Sequence, residues 1–163
     1  MDRIDIQILS MLQRDCKIAQ VELARSVGLS PASISERLKR LERSGVIKSY
    51  TAILDAHSLG FGITAYVFVF VEHPRFEAEL LGQLDAVPEV QECHHVTGDF
   101  SLLLKVRTKN IETFEHLLFH SINSIPGVRQ TKTTIVLSST KETTLFSLKI
   151  PTEQSNNEKE QGA

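Results

Sequence analysis

Cysteine is scarce in this chain of 163 residues: Cys16 and Cys93 stand far apart and in no Cys-x-x-Cys spacing. That excludes a disulfide framework and a cysteine-based zinc motif. Long apolar runs are missing as well, since none reaches the ~18 residues of a membrane span. The N-terminus is polar, with acids at Asp2 and Asp5, and is unlike a signal peptide. A cytoplasmic protein with no membrane partner is expected. The sequence shows no phosphate loop, no nucleophile–base pair and no metal-ligand set, so it does not read as an enzyme and implies no cofactor. Charge of one sign is lacking overall, at a formal net of −2.

The distribution of charge is more informative than its total. Residues 1–50 carry nine cations against six acids, and the remainder nine against fourteen, so the first third is +3 and the rest −5. A basic module beside an acidic one fits DNA binding at one end and another task at the other.

The stretch 30–47, SPASISERLKRLERSGVI, reads as one helix with a start and a stop. Ser30 suits the cap and Pro31 the first turn, where no donor is needed. Ile34, Leu38 and Leu41 recur at i, i+4, i+7 and line the buried side. The opposite side carries Ala32, Glu36, Lys39 and Arg43, flanked by Ser33, Ser35 and Arg40. Small polar residues crowd the front half and cations the back half, which suits a helix that enters a DNA groove and meets phosphate behind it. Base contacts are expected from Ser33, Ser35, Glu36 and Lys39, with Ser30 at the front end. Phosphate contacts are expected from Arg37, Arg40 and Arg43, although Arg37 lies nearer the buried edge and can also brace the fold. An ordinary surface helix with a solvated face is the plainer alternative.

Before it, Ile4, Ile8, Met11 and Leu12 predict a helix over 2–14, and Val21, Leu23, Ala24 and Val27 one over 19–27. Gly28-Leu29-Ser30 makes a tight connection, and the arrangement is that of a helix-turn-helix, with a plain three-helix bundle as the alternative. DRIDIQILSMLQRD and VELARSVGLSPASISERLKRLERSGVIKSYTAILD resemble the N-terminal half of the Lrp/AsnC (feast/famine) family. The resemblance spans nearly all of residues 2–55. It implies a dimeric transcription regulator whose helix-turn-helix runs from Val21 to Arg40. Cys16 departs from the glycine often found there.

After the third helix, 46–55 (VIKSYTAILD) is rich in β-branched and apolar residues and reads as a strand, and 56–62 as a hinge. The resemblance implies that this strand pairs with its counterpart in a second subunit. Residues 63–72 predict a strand apolar on both faces, with Ala65, Val67, Val69 and Val71 on one and Tyr66, Phe68 and Phe70 on the other. The second face is expected to be covered by another subunit. A helix over 75–86, strands at 89–97 and 100–107 joined by Gly98-Asp99, a helix from Ile111 to Ile122 and a strand at 128–138 follow. A last strand is expected near 143–150. The order β-α-β-β-α-β is the ferredoxin-like pattern, and the fold class is therefore α+β. The boundaries read as 1–48 for the helix-turn-helix, 49–61 for the connector, 62–150 for the effector and oligomerisation domain, and 151–163 for a disordered tail.

VTGDFSLLLKV and SIPGVRQTKTTIVL resemble the family's effector domain, which usually takes an amino acid where dimers meet. The matching positions are Gly98, Asp99, Phe100 and Ser101, with Thr131, Thr133 and Thr134. Asp99 suits a ligand ammonium group, and backbone N–H groups near Gly98 suit a carboxylate. Ser101 departs from the acidic residue many members have there. The alternative is that Gly98-Asp99 is only a good turn.

Cys93 and His95 share a strand face while His94 points away, so no metal site is expected: two ligands do not hold zinc. The expected partners are double-stranded DNA, further copies of the chain as a dimer or higher oligomer, and a small effector. The expected activity is sequence-selective regulation of transcription at the nucleoid. The alternatives are a nucleoid-organising protein of low selectivity, and a small-molecule-binding or enzymatic ferredoxin-like protein with a helical interaction module.

Overall fold

A computed structural model describes residues 1–149. The chain forms two compact units. One contains Met1–Ile53 with residues 142–149, and the other contains Leu54–Lys141.

The first unit is built on α1 (Arg3–Leu12), α2 (Gln20–Val27) and α3 (Pro31–Arg43). Each start has its own chemistry. Asp2 and Asp5 form a reciprocal cap on α1: the Asp5 N–H donates to Asp2 Oδ1 at 2.8 Å, and the Asp2 N–H donates to Asp5 Oδ2 at 3.0 Å. Gly28 closes α2 at φ 71°, the left-handed region that side chains avoid. Ser30 Oγ accepts from the Ser33 N–H at 3.1 Å, and Pro31 opens α3. Ile8, Leu12, Leu23, Ala24, Ile34 and Leu38 make the core between the helices.

Two expectations fail in this unit and its continuation. Residues 46–55 take no regular structure. Their β-branched composition suits a strand, but a strand also needs a neighbouring edge to bond to, and none lies within the described chain. Residues 143–149 likewise form no strand. Instead the Gln13 side chain holds this segment: its Nε2 donates to the Phe146 carbonyl at 2.9 Å, and its Oε1 accepts from the Phe146 N–H at 3.0 Å. One amide thus holds the segment in place of a ladder, and by its contacts 142–149 groups with the helices. The tail expected at 151–163, with Ile150, lies outside the described residues.

The second unit runs β1 (Ile63–Val71), a 3-10 turn (Pro74–Phe76), α4 (Glu77–Asp85), β2 (Val90–His95), β3 (Leu102–Thr108), α5 (Ile111–His116) and β4 (Val128–Ile135). The four strands form one antiparallel sheet in the order β2-β3-β1-β4. This is the ferredoxin-like arrangement. The expected long second helix changes register at His116 and continues through Leu117–Ile122 as π-helix, with the Asn123 N–H bonded to the Leu118 carbonyl at 2.8 Å. The i→i+5 turn lets Leu117 and Ile122, five residues apart, both reach the core. α4 and α5 cover the face bearing Ala65, Val67, Val69, Leu102, Leu104 and Val106. Tyr66, Phe68 and Phe70 lie on the other face and are half-buried.

Candidate nucleic-acid interface and ligand loop

Along the outer side of α3, Ser33, Glu36, Arg37, Lys39, Arg40 and Arg43 line one open groove, together with Leu29. Ser30 sits at the helix start, where its hydroxyl is bonded to Ser33 Oγ at 2.9 Å. Ser35 turns to the other side and lines a second groove with Leu12, Cys16, Lys39 and Tyr50. The expected DNA-facing set is therefore brought together except for Ser35, which faces elsewhere.

The four cations of α3 are used differently. Arg37 is four-fifths buried in its side chain, and its Nη1 donates to Asp2 Oδ2 at 2.6 Å and Asp5 Oδ1 at 2.7 Å. Arg40 is 55% exposed, and its Nη2 lies 2.9 Å from both oxygens of Asp5. Arg43 Nε donates back to the Lys39 carbonyl at 3.2 Å, so its head stays on the helix surface. Lys39 is exposed. Asp5, at 1% exposure, is thus the buried centre of the network. Burial alone would push its pKa up. The Asp2 N–H and the Arg37 guanidinium outweigh that and hold the carboxyl below its usual range. Asp2 is lowered by the Asp5 N–H first and Arg37 second, and Arg37 is correspondingly raised by Asp2 and then Asp5.

Neither aspartate was among the residues singled out from the sequence. A signal was present: Asp5 lies at i−3 and i−7 from Ile8 and Leu12, a lone acid on an apolar stripe. Tyr50 was missed too. Its hydroxyl donates to Glu42 Oε1 at 2.9 Å, and burial with that carboxylate raises its pKa to about 12. The contact ties the chain leaving α3 back to the helix.

In the second unit, the loop after β2 carries Gly98 at φ 111°, a conformation that favours glycine. Phe100 packs its ring at 5.8 Å, tilted, against Phe68. The Ser101 N–H donates to the Val69 carbonyl at 3.0 Å, and Val69 also pairs with Thr131. The loop and Thr131 therefore flank the same end of β1. Strand alternation divides the three threonines. Thr131 Oγ1 donates to Asn123 Oδ1 at 3.0 Å on the helix side, Thr133 shares that side, and Thr134 faces the opposite one. Asp99 is exposed.

Cys93, His94 and His95 form no cluster. His94 Nε2 meets Glu92 at 3.2 Å, and His95 Nδ1 meets Glu77 at 3.2 Å. Burial pushes the Cys93 thiol up, away from thiolate chemistry. Among the described residues no group of three or more His, Cys, Asp or Glu side chains could hold a metal ion, and no helix is long and apolar enough to cross a membrane.

A helix-turn-helix with a basic outer face, joined to a ferredoxin-like unit with a half-covered sheet, defines a DNA-binding regulator with a sensing domain. Comparisons with known proteins agree. Residues 1–48 match the winged helix-turn-helix DNA-binding model, and residues 64–146 match the Lrp/AsnC ligand binding domain. The chain is 40% identical over 149 residues to the HTH-type transcriptional regulator FL11 of Pyrococcus horikoshii, covering 91% of this chain and 97% of that one. It is 40% identical over 153 residues to the leucine-responsive regulatory protein of Salmonella typhimurium, covering 91% and 92%. Among solved structures, it is similar to a transcriptional regulator of Neisseria meningitidis in complex with L-Met, with a TM-score of 0.84 at 31% identity over 88% of this chain and 94% of that one. Escherichia coli AsnC gives a TM-score of 0.84 at 27% identity over 89% and 97%. The chain belongs to the Lrp/AsnC family of transcriptional regulators. It is a DNA-binding regulator of transcription and not an enzyme.

Proposed function

We propose that α3 enters the major groove of DNA with Ser33, Glu36 and Lys39 toward base edges and Arg40 and Arg43 toward phosphates. The observation that carries this reading is the single groove these five residues line on the outer side of α3. Ser30 and Ser33 hold each other at the front end, and Arg37 serves mainly to fix α3 against α1. Two copies of the chain present two such helices about 34 Å apart on a near-palindromic site. The half-buried aromatics Tyr66, Phe68 and Phe70 support a homo-oligomer as the way the sheet's second face is covered.

The effector is an amino acid held at the loop Gly98–Ser101. The ligand-binding class of the domain and the L-Met bound by the Neisseria regulator support this. Asp99 supplies the anion for the ligand's ammonium group, and the loop N–H groups face its carboxylate. Thr131 lies at the same end of β1, while Thr134 belongs to another face and is less suited to the same ligand. The protein acts in the cytoplasm on chromosomal DNA.

The test is fluorescence anisotropy of the purified protein with DNA from upstream of its own gene and a scrambled duplex, at two salt concentrations, with and without a pool of the twenty amino acids. Selective, salt-sensitive binding that shifts with the pool supports both halves of the reading. Equal affinity for both duplexes favours nucleoid organisation with little selectivity, and binding indifferent to the pool removes the amino-acid effector.

A further inference from the structure

We infer that Asp5 is a positioning residue for DNA binding: from the start of α1 it holds the guanidinium of Arg40 in the pose that meets a phosphate. The inference rests on the proposed placement of α3 and adds to it a residue that itself never approaches DNA.

The geometry has three parts. Asp5 is buried at 1% exposure, so its carboxylate cannot act on a ligand directly. Its rotamer is fixed from two other directions, by the Asp2 N–H at 3.0 Å and by Arg37 Nη1 at 2.7 Å. Arg40 engages it through Nη2 alone, at 2.9 Å to each oxygen, and is otherwise more than half exposed. One corner of the guanidinium is therefore pinned while Nη1 and Nε make no hydrogen bond among the described residues. A planar fork held at one corner loses less freedom when its remaining donors bind phosphate than a free side chain does. Asp2 makes a useful contrast. It carries the same charge and pairs with Arg37, but it does not touch Arg40.

Simple electrostatics gives the opposite sign. Replacing an aspartate near the DNA-facing helix by asparagine raises the local charge by one, which by itself tightens binding to every sequence. Positioning instead requires that Asp5→Asn weaken it. The experiment measures affinity against salt for the full-length protein with the same two duplexes, below the melting temperature of every variant. Asp2→Asn, whose asparagine caps a helix as well as aspartate does, should keep the wild-type slope. Asp5→Asn should bind both duplexes about tenfold more weakly, with a slope smaller by about one unit. Arg40→Ala should do the same, and the double variant should lose no more than either single one.

A folded Asp5→Asn protein with wild-type or steeper slope overturns the inference, as does an equal loss in Asp2→Asn or strict additivity with Arg40→Ala. Should Asp5→Asn fail to fold, Asp5→Glu keeps the charge and shifts the carboxylate by one methylene. A reduced slope supports positioning, and a wild-type slope overturns it. If Arg40→Ala leaves the slope unchanged, the phosphate role of α3 itself falls. If Arg40→Ala lowers it while both Asp5 variants do not, only the role of Asp5 falls.

Discussion

The helical unit and the sheet unit treat polar groups in their interiors differently. In the first, a carboxylate sits at 1% exposure between two guanidinium groups, beside a core cluster of only six buried side chains. In the second, twelve buried apolar residues pack between sheet and helices, and the buried polar side chain among the described residues is Thr108, whose hydroxyl donates to the Asn110 carbonyl at 3.2 Å. A three-helix cluster of this size buries little surface and cannot be specified by packing alone. The ion network gives α1 and α3 one register. Such a network adds little net stability, because taking charges out of water costs about as much as their attraction returns. Its value lies in geometry, and the same side chains that fix the helices present Arg40 outward. The sheet unit has no such double use of its core.

The contrast can be sharpened at three levels. The largest effect is expected in the apolar core. Leu104→Ala empties a site at 0% exposure in the middle of the sheet and should cost about 2–5 kcal/mol. Urea denaturation followed by amide exchange in β1 and β3 measures it, and a loss below about 1 kcal/mol would mean that the sheet repacks freely.

Next comes acid. In the folded protein the carboxyls of Asp2 and Asp5 titrate below their ordinary range. Their contribution is therefore complete above the unfolded value and is lost as pH falls through the folded ones. Protection of the α3 amides, taken relative to their intrinsic exchange rates, should fall as pH drops below about 4 in the wild type, and less so in Arg37→Gln, which lacks the groups' shared partner. An equal loss of protection in both proteins would show that Arg37 does not hold the carboxylates ionised.

The smallest effect is expected at the exposed clamp on the returning chain. Gln13→Ala removes two hydrogen bonds, each of about 0.5–1.5 kcal/mol, and should speed exchange of the Phe146 amide while leaving α1–α3 unchanged. Unaltered exchange at Phe146 would mean that other contacts anchor the segment.

Much of this was legible in the sequence, and what was not has physical causes. The helices and β1 announce themselves because their signals are local: apolar spacing of three and four, spacing of two, and the Ser30-Pro31 start. The runs 46–55 and 143–149 form no ladder within the chain because β-branched residues state a preference, whereas a strand is a relation between two edges. The π-helical turn at Leu117–Ile122 is compatible with the spacing of Leu117 and Ile122 but not required by it. The Asp5 network joins residues 32 and 35 positions apart, and no local pattern specifies which arginine a buried acid will choose. Near the loop Gly98–Ser101, alternation alone already separates Thr133 from Thr134, since neighbours on a strand cannot share a face. The side that Thr131 faces became visible only through Asn123.

The most direct measurement is the salt dependence of DNA affinity for Arg40→Ala/Arg43→Ala against the wild type, on one duplex and at one temperature. With the outer side of α3 against phosphate, the slope of log affinity on log salt should fall by about two units while the fold is retained. A double variant that keeps the wild-type slope would contradict α3 as the DNA-facing element and would move the interface elsewhere on the helical unit.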